Sequence, residues 1–142
     1  MTIQEALAEG IGLLKSPCPE ASIDTPSLDA SILLADTLGI DKTALVLGGN
    51  KAIPENDREK FKTLIERRRC GECIAYILGR KEFRGLLFSV NPHVLVPRPD
   101  TETLVEAALE HIDSQHAALS SGHENNNLAI LDLCTGSGAL AI

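Results

Sequence analysis

A small helical bundle, a β-hairpin and then the opening of an α/β domain is the architecture this chain predicts. Three observations carry it. Residues 1 to about 79 show amphipathic helical periodicity punctuated by prolines and glycines. The period shortens to two on either side of Gly85. Finally, Ile130-Leu131-Asp132-Leu133 runs through Cys134-Thr135-Gly136-Ser137-Gly138 into Ala139-Leu140-Ala141-Ile142. That order describes a buried parallel strand turning into a helix through a glycine loop.

In the first region, Thr2 followed by Glu5 forms a capping box, and Ile3, Leu7, Ile11 and Leu14 then share a face. Pro17 and Pro19 end that helix. Thr25-Pro26 supplies a cap and a first-turn proline ahead of Leu28, Ile32, Ala35 and Leu38, and Gly39 is the terminator. Asp41 caps a short third helix through Ala44 to Leu47, stopped by Gly48-Gly49. Pro54 opens a fourth with Phe61, Leu64, Ile65 and Arg68 among charged positions, and a brief fifth turn covers Ile74 to Leu78. Short connections between such helices imply an antiparallel bundle.

Beyond Gly79, Leu86, Phe88 and Val90 alternate to one side of a hairpin that turns at Gly85. Pro97-Arg98-Pro99 is stiff and extended, because each proline fixes its own φ and restricts the residue before it. Asp100 or Thr101 caps a helix with Leu104, Ala108 and Ile112 as its buried stripe. Residues 113–127 are polar and unpatterned, as a mobile surface loop would be. The domains are therefore 1–79, helical; 80–97, a hairpin linker; and 98–142, the start of an α/β domain.

The totals narrow the class. The chain has 142 residues, 44% of them hydrophobic and 23% charged, in the range of a soluble globular protein. Its net charge of −7 argues against a general binder of phosphate backbones, so no direct nucleic-acid partner is expected. No apolar run approaches the roughly 20 residues of a membrane helix. Nor does the N-terminus carry a basic region followed by an apolar stretch, so the expectation is cytoplasmic, without a membrane, and monomeric. Cys70-Gly71-Glu72-Cys73 has the spacing of a redox pair or half a zinc site. It lacks a second ligand pair and a preceding strand, which favours coincidence. His93, His111, His116 and His123 share no metal-like spacing. Arg67-Arg68-Arg69 reads as a solvated helix end favoured by the dipole, with a contact to a partner protein or RNA as the alternative.

The glycine loop admits several readings. Gly136-Ser137-Gly138-Ala139-Leu140-Ala141 satisfies the dinucleotide fingerprint, which would place a pyrophosphate at the helix start and make the chain a nucleotide-dependent oxidoreductase. It could also be a tight turn that binds nothing. Asp132 favours a third reading, since an acid at the strand tip repels pyrophosphate and suits a cationic or hydroxyl-bearing ligand. The run D-L-C-T-G-S-G resembles motif I of Rossmann-like methyltransferases that use S-adenosylmethionine, a donor with an ammonium group and a cationic sulfur.

Taken with Ile74-Ala75-Tyr76-Ile77-Leu78-Gly79, Glu82-Phe83-Arg84-Gly85 and the stretch from Phe88 through Val96-Pro97-Arg98-Pro99-Asp100-Thr101-Glu102, the chain closely resembles the HemK/PrmC family. Its members methylate the glutamine of the Gly-Gly-Gln motif in peptide chain release factors. The resemblance implies a truncated Rossmann-like S-adenosylmethionine-dependent methyltransferase domain over 98–142, a release factor as protein partner, and a helical domain that recognises it. It implies that Asp132, Cys134, Thr135, Gly136, Ser137 and Gly138 line the donor and that Pro99, Thr101 and Glu102 sit beside its pocket; Arg98, a cation held in a fixed direction between two prolines, is the candidate to bind substrate. The family's Asn-Pro-Pro-Tyr motif is absent from the 142 residues, so no catalytic residue is expected in this chain and the piece is expected to be inactive alone. The alternatives are a non-catalytic release-factor docking module, or a methyltransferase acting on another protein glutamine or a nucleic-acid amino group. On either reading, residues 1–79 are expected to fold alone, whereas 128–142 are not expected to form a sheet alone.

Overall fold

The computed structural model describes residues 1–119, 130–133 and 135–139. The chain divides into two compact units, Met1–Leu78 and Gly79–Ile142. Five helices make the first: α1 (Ile3–Leu14), α2 (Pro26–Leu38), α3 (Lys42–Leu47), α4 (Glu55–Arg69) and α5 (Ile74–Leu78). The second holds β1 (Arg80–Phe83), β2 (Leu86–Ser89) and α6 (Pro99–Leu119).

Local chemistry accounts for the helix ends. The Thr2 hydroxyl accepts from the Glu5 N–H at 3.3 Å, and the Glu5 carboxylate accepts from the Thr2 N–H at 2.8 Å, a complete capping box. The latter bond holds the Glu5 carboxyl below its ordinary pKa. Asp41 accepts from the Ala44 N–H at 2.6 Å to start α3. Gly39 ends α2 in the left-handed region at φ 63°. Thr25 precedes α2 as expected but makes no cap bond; its hydroxyl donates to the Asp29 carboxylate at 2.9 Å. A buried carboxylate needs donors more than an exposed helix end does.

α1, α2 and α4 pack on one another, with α3 against α2 and α5 against both α2 and α4. Ile3, Ala6, Leu14, Leu33, Leu34, Leu45, Phe61 and Ile65 form the centre of the core. Each large apolar side chain buried this way contributes about 1.5–3 kcal/mol. The faces differ from those expected at two helices. α1 buries Ile3, Ala6, Gly10 and Leu14, while Leu7 and Ile11 pack at the margin. Gly10 permits this rotation: a Cβ there would lie 2.9 Å from the Phe61 ring. α2 buries Asp29, Ala30, Leu33, Leu34 and Ala35, leaving Leu28 at 47% exposure. It turns that way because Asp29 faces Arg68 of α4, whose Nε donates to it at 2.6 Å. Arg68 is therefore a core partner, and the arginine run is not simply a solvated end. Arg67 bonds Glu72 at 2.7 Å, and Arg69 bonds Glu66 at 2.8 Å.

In the second unit β1 and β2 are antiparallel, with Phe83 opposite Leu86 and Arg80 opposite Ser89. Arg84 and Gly85 both have positive φ, 49° and 75°, the backbone of a tight hairpin whose twist matches its strands. Phe83 and Val90 are buried, and the Phe83 and Phe88 rings meet edge to face at 6.2 Å.

Three expectations change here. α6 continues to Leu119, so residues 113–119 are helical, while the rest of the expected loop lies outside the described residues. The stripe expected to be buried on α6 is not: Leu104 is 60% exposed. Ile130, Leu131 and Leu133 are 73–79% exposed and unpaired, where a buried parallel strand was expected. The same physical cause serves for both. Among the described residues the hairpin is the whole of the sheet, and a strand lacking neighbours cannot satisfy its backbone or bury its side chains.

Candidate functional site

The site residues named from the sequence fall on two structural pieces of the second unit. The first is the entry to α6. Pro97 is buried, Arg98 is exposed, and Pro99 begins the helix, where its missing N–H and fixed φ cost nothing. The Arg98 carbonyl accepts from the Thr101 N–H at 3.0 Å, which closes the first turn. Thr101 and Glu102 are half-buried.

Glu102 faces the hairpin. Its carboxylate accepts from the Arg84 N–H at 3.4 Å, and the Arg84 guanidinium lies 3.5 Å from Glu106, one turn further on. Arg84 thus bridges the hairpin tip to the first two turns of α6. The sequence places the turn at Gly85 and assigns Arg84 no role of its own. Its only signal was the Arg-Gly pair, since the contact spans 18 residues.

The second piece is the glycine loop. The Asp132 carbonyl accepts from the Thr135 hydroxyl at 3.2 Å, and the Thr135 carbonyl accepts from the Gly138 N–H at 2.8 Å. Gly136 and Gly138 have φ of 56° and 76°, left-handed conformations that a side chain would strain. Ser137 lies between them, half-buried. Cys134 lies outside the described residues. Asp132 is half-buried, and its Oδ2 is shielded from solvent with no hydrogen-bond partner among the described residues. A shielded carboxylate oxygen left unpaired costs free energy that a cation or hydroxyl would recover.

Asp132 and Ala139 reach a cavity of about 490 Å³, whose other walls include Phe83, Leu86, Val105 and Ile112. The glycine loop, hairpin and α6 therefore meet there. Pro99, Thr101, Glu102 and Arg98 do not line it, so the structure brings Asp132 to the cavity but not the α6 entry. Residues 135–138 do not line the cavity, so the loop brings only Asp132 and Ala139 to it. An acceptor sits where an ammonium or ribose hydroxyl would be welcome, and two glycines let the backbone come close. Among the described residues no group of His, Cys, Asp and Glu could hold a metal ion, and no helix is long and apolar enough to cross a membrane.

Comparison with known proteins gives the family. Residues 5–79 match the family described as PrmC N-terminal domain. The release factor glutamine methyltransferase of Clostridium botulinum is 39% identical over all of this chain, covering 45% of its own length. That of Haemophilus influenzae is 41% identical, again over the whole chain and 46% of its own length. That of Aliivibrio fischeri is 41% identical over 84% of this chain and 38% of its own. The chain thus spans less than half the length of these relatives. With more than half of its residues inside the matched domain, the chain belongs to the HemK/PrmC family.

Proposed function

We propose that the full-length product methylates the glutamine side-chain nitrogen in the Gly-Gly-Gln motif of peptide chain release factors, with S-adenosylmethionine as donor. The observation that carries this is Asp132, whose shielded oxygen, without a partner among the described residues, stands at the head of a loop with two left-handed glycines. The relatives named above, all release factor glutamine methyltransferases, support the choice of reaction and substrate.

When bound, the donor supplies an electrophilic methyl group on a cationic sulfur. In this reading Asp132 accepts a hydrogen bond from the donor, and Thr135, Gly136, Ser137 and Gly138 give it a close-fitting backbone wall. Cys134 belongs to the same segment. Pro99, Thr101 and Glu102 shape the neighbouring approach, and Arg98 holds the substrate through its fixed cation. A glutamine amide nitrogen is a weak nucleophile, because its lone pair is delocalised into the carbonyl. Orientation must then supply much of the rate. The 142 residues contain no Asn-Pro-Pro-Tyr segment to orient that amide, so what they contribute is binding, and the piece alone is inactive. Residues 1–79 recognise the release factor, 80–97 link, and 98–142 begin the methyltransferase domain, in a monomer working in the cytoplasm.

Incubating the full-length product with donor and a release factor tests this directly. The Gly-Gly-Gln peptide is expected to gain one methyl group on glutamine, read by fragmentation mass spectrometry. Donor binding without modification of the factor would overturn the proposal. Retention of the factor by immobilised residues 1–79 is expected as well, and its failure would remove the assigned role of the helices.

A further inference from the structure

The spacing of Cys70 and Cys73 invites pairing within the motif, but the fold gives Cys70 a different neighbour. Cys18 lies in the segment between α1 and α2, and its N–H donates to the Arg69 carbonyl at 3.1 Å. Two residues earlier, the Ser16 carbonyl accepts from the Arg69 side chain, also at 3.1 Å. Residues 16–18 are thereby laid along the last turn of α4, where Cys70 is the capping residue. This brings the Cys70 thiol close enough to Cys18 for the two to interact, with Glu66 and Arg69 the charged groups beside them. Cys73 is directed elsewhere, because Gly71 at φ 92° reverses the chain after α4 and the Cys73 carbonyl starts α5 by accepting from Tyr76 and Ile77.

We propose that Cys18 and Cys70 are an intramolecular redox site that closes to a disulfide under peroxide, tying the segment after α1 to the end of α4. Cys70 is exposed and Cys18 half-buried, so an oxidant meets Cys70 first. Peroxide converts the Cys70 sulfur to a sulfenic acid and leaves as water. The Cys18 thiolate attacks that sulfur, the S–S bond forms, and the departing hydroxide takes a proton to give a second water. Two thiols and one peroxide thus yield one disulfide and two waters. The Arg69 guanidinium, which feels both sulfurs, stabilises the attacking thiolate. The Cys70 thiol donates to the Cys18 sulfur, which raises the Cys70 pKa, so Cys70 is slow to become a thiolate and the pair remains a dithiol in a reducing compartment.

The bridge would close a loop of about 50 residues, a long enough span for a cross-link to constrain the unfolded chain strongly. The test uses the whole chain, reduced and then treated with hydrogen peroxide, alkylated, and digested with trypsin and a protease that cleaves after glutamate. Cleavage at Glu72 puts Cys70 and Cys73 on separate peptides. The expected product is a linked pair of Cys18 and Cys70 peptides, together with a rise in melting temperature on the order of 10 °C that dithiothreitol reverses. Cys73→Ser is expected to leave both readouts intact. A Cys70–Cys73 link, oxidation of Cys70 with Cys18 still free to alkylate, or loss of the bridge in Cys73→Ser would each overturn the proposal.

Discussion

Asp132 concentrates the chemistry of its loop in one oxygen atom. A charged hydrogen bond is worth about 1.5–3 kcal/mol, so Asp132→Ala in the full-length product is expected to weaken S-adenosylmethionine binding by about 10- to 100-fold. Calorimetric titration reads this, and unchanged affinity would show that the acid is incidental. Asp29 is the structural counterpart. Its carboxylate, 6% exposed, is held by Arg68 at 2.6 Å and by Thr25 at 2.9 Å. Removing one partner of a buried ion pair costs about 3–5 kcal/mol, because the survivor is left charged and unpaired. Asp29→Ala and Arg68→Ala are each expected to lose about that much in urea unfolding, and the double variant much less than their sum. The two acids also differ in how far the sequence disclosed them. Asp132 announced itself through its spacing to Gly136 and Gly138. Asp29 could not, since its partner is 39 residues away and only packing brings them together.

Elements were legible at their ends and less so on their faces. Thr2 with Glu5, Gly39 and Asp41 each stop or start a helix through contacts within four residues, which a sequence displays openly. Which side of α1 faces inward depends on Phe61 fitting over Gly10, and which side of α2 does so depends on Arg68. Those are properties of a partner helix. The end of α4 also carries a pH dependence. The hydrogen bond from Arg67 holds the Glu72 carboxyl below its ordinary 4.5. A carboxyl with a lowered folded-state pKa contributes stability that is complete above the unfolded value and is lost as pH falls through the folded one. The pair is partly exposed, so the contribution is about 0.5 kcal/mol. Thermal melts from pH 6 to pH 2 are expected to show Glu72→Gln less stable than the parent above about pH 5, with the gap closing in acid. A gap independent of pH would remove the ion pair as its cause.

At the scale of the molecule, the core cluster from Ile3 to Ile77 lies wholly within Met1–Leu78. That piece is expected to fold alone, unfolding in one cooperative transition with the melting temperature of the helical unit in the whole chain. A broad, non-cooperative melt of residues 1–78 would contradict it. The general plan of helices, hairpin and glycine turn was readable because each part is built from local signals. The buried strand and the buried stripe on α6 were not realised, because burial needs a sheet to pack against, and the only sheet among the described residues of this unit is a two-stranded hairpin. That shortfall has a colloidal consequence. Leu104, Leu109, Ile130 and Leu131 present oily surface to water around a cavity that a small aromatic dye could enter. The 142-residue chain is expected to brighten anilinonaphthalene sulfonate while still natively folded, and to turn cloudy on concentration. Residues 1–78 should do neither, so the handling properties of the whole chain are set by its second unit.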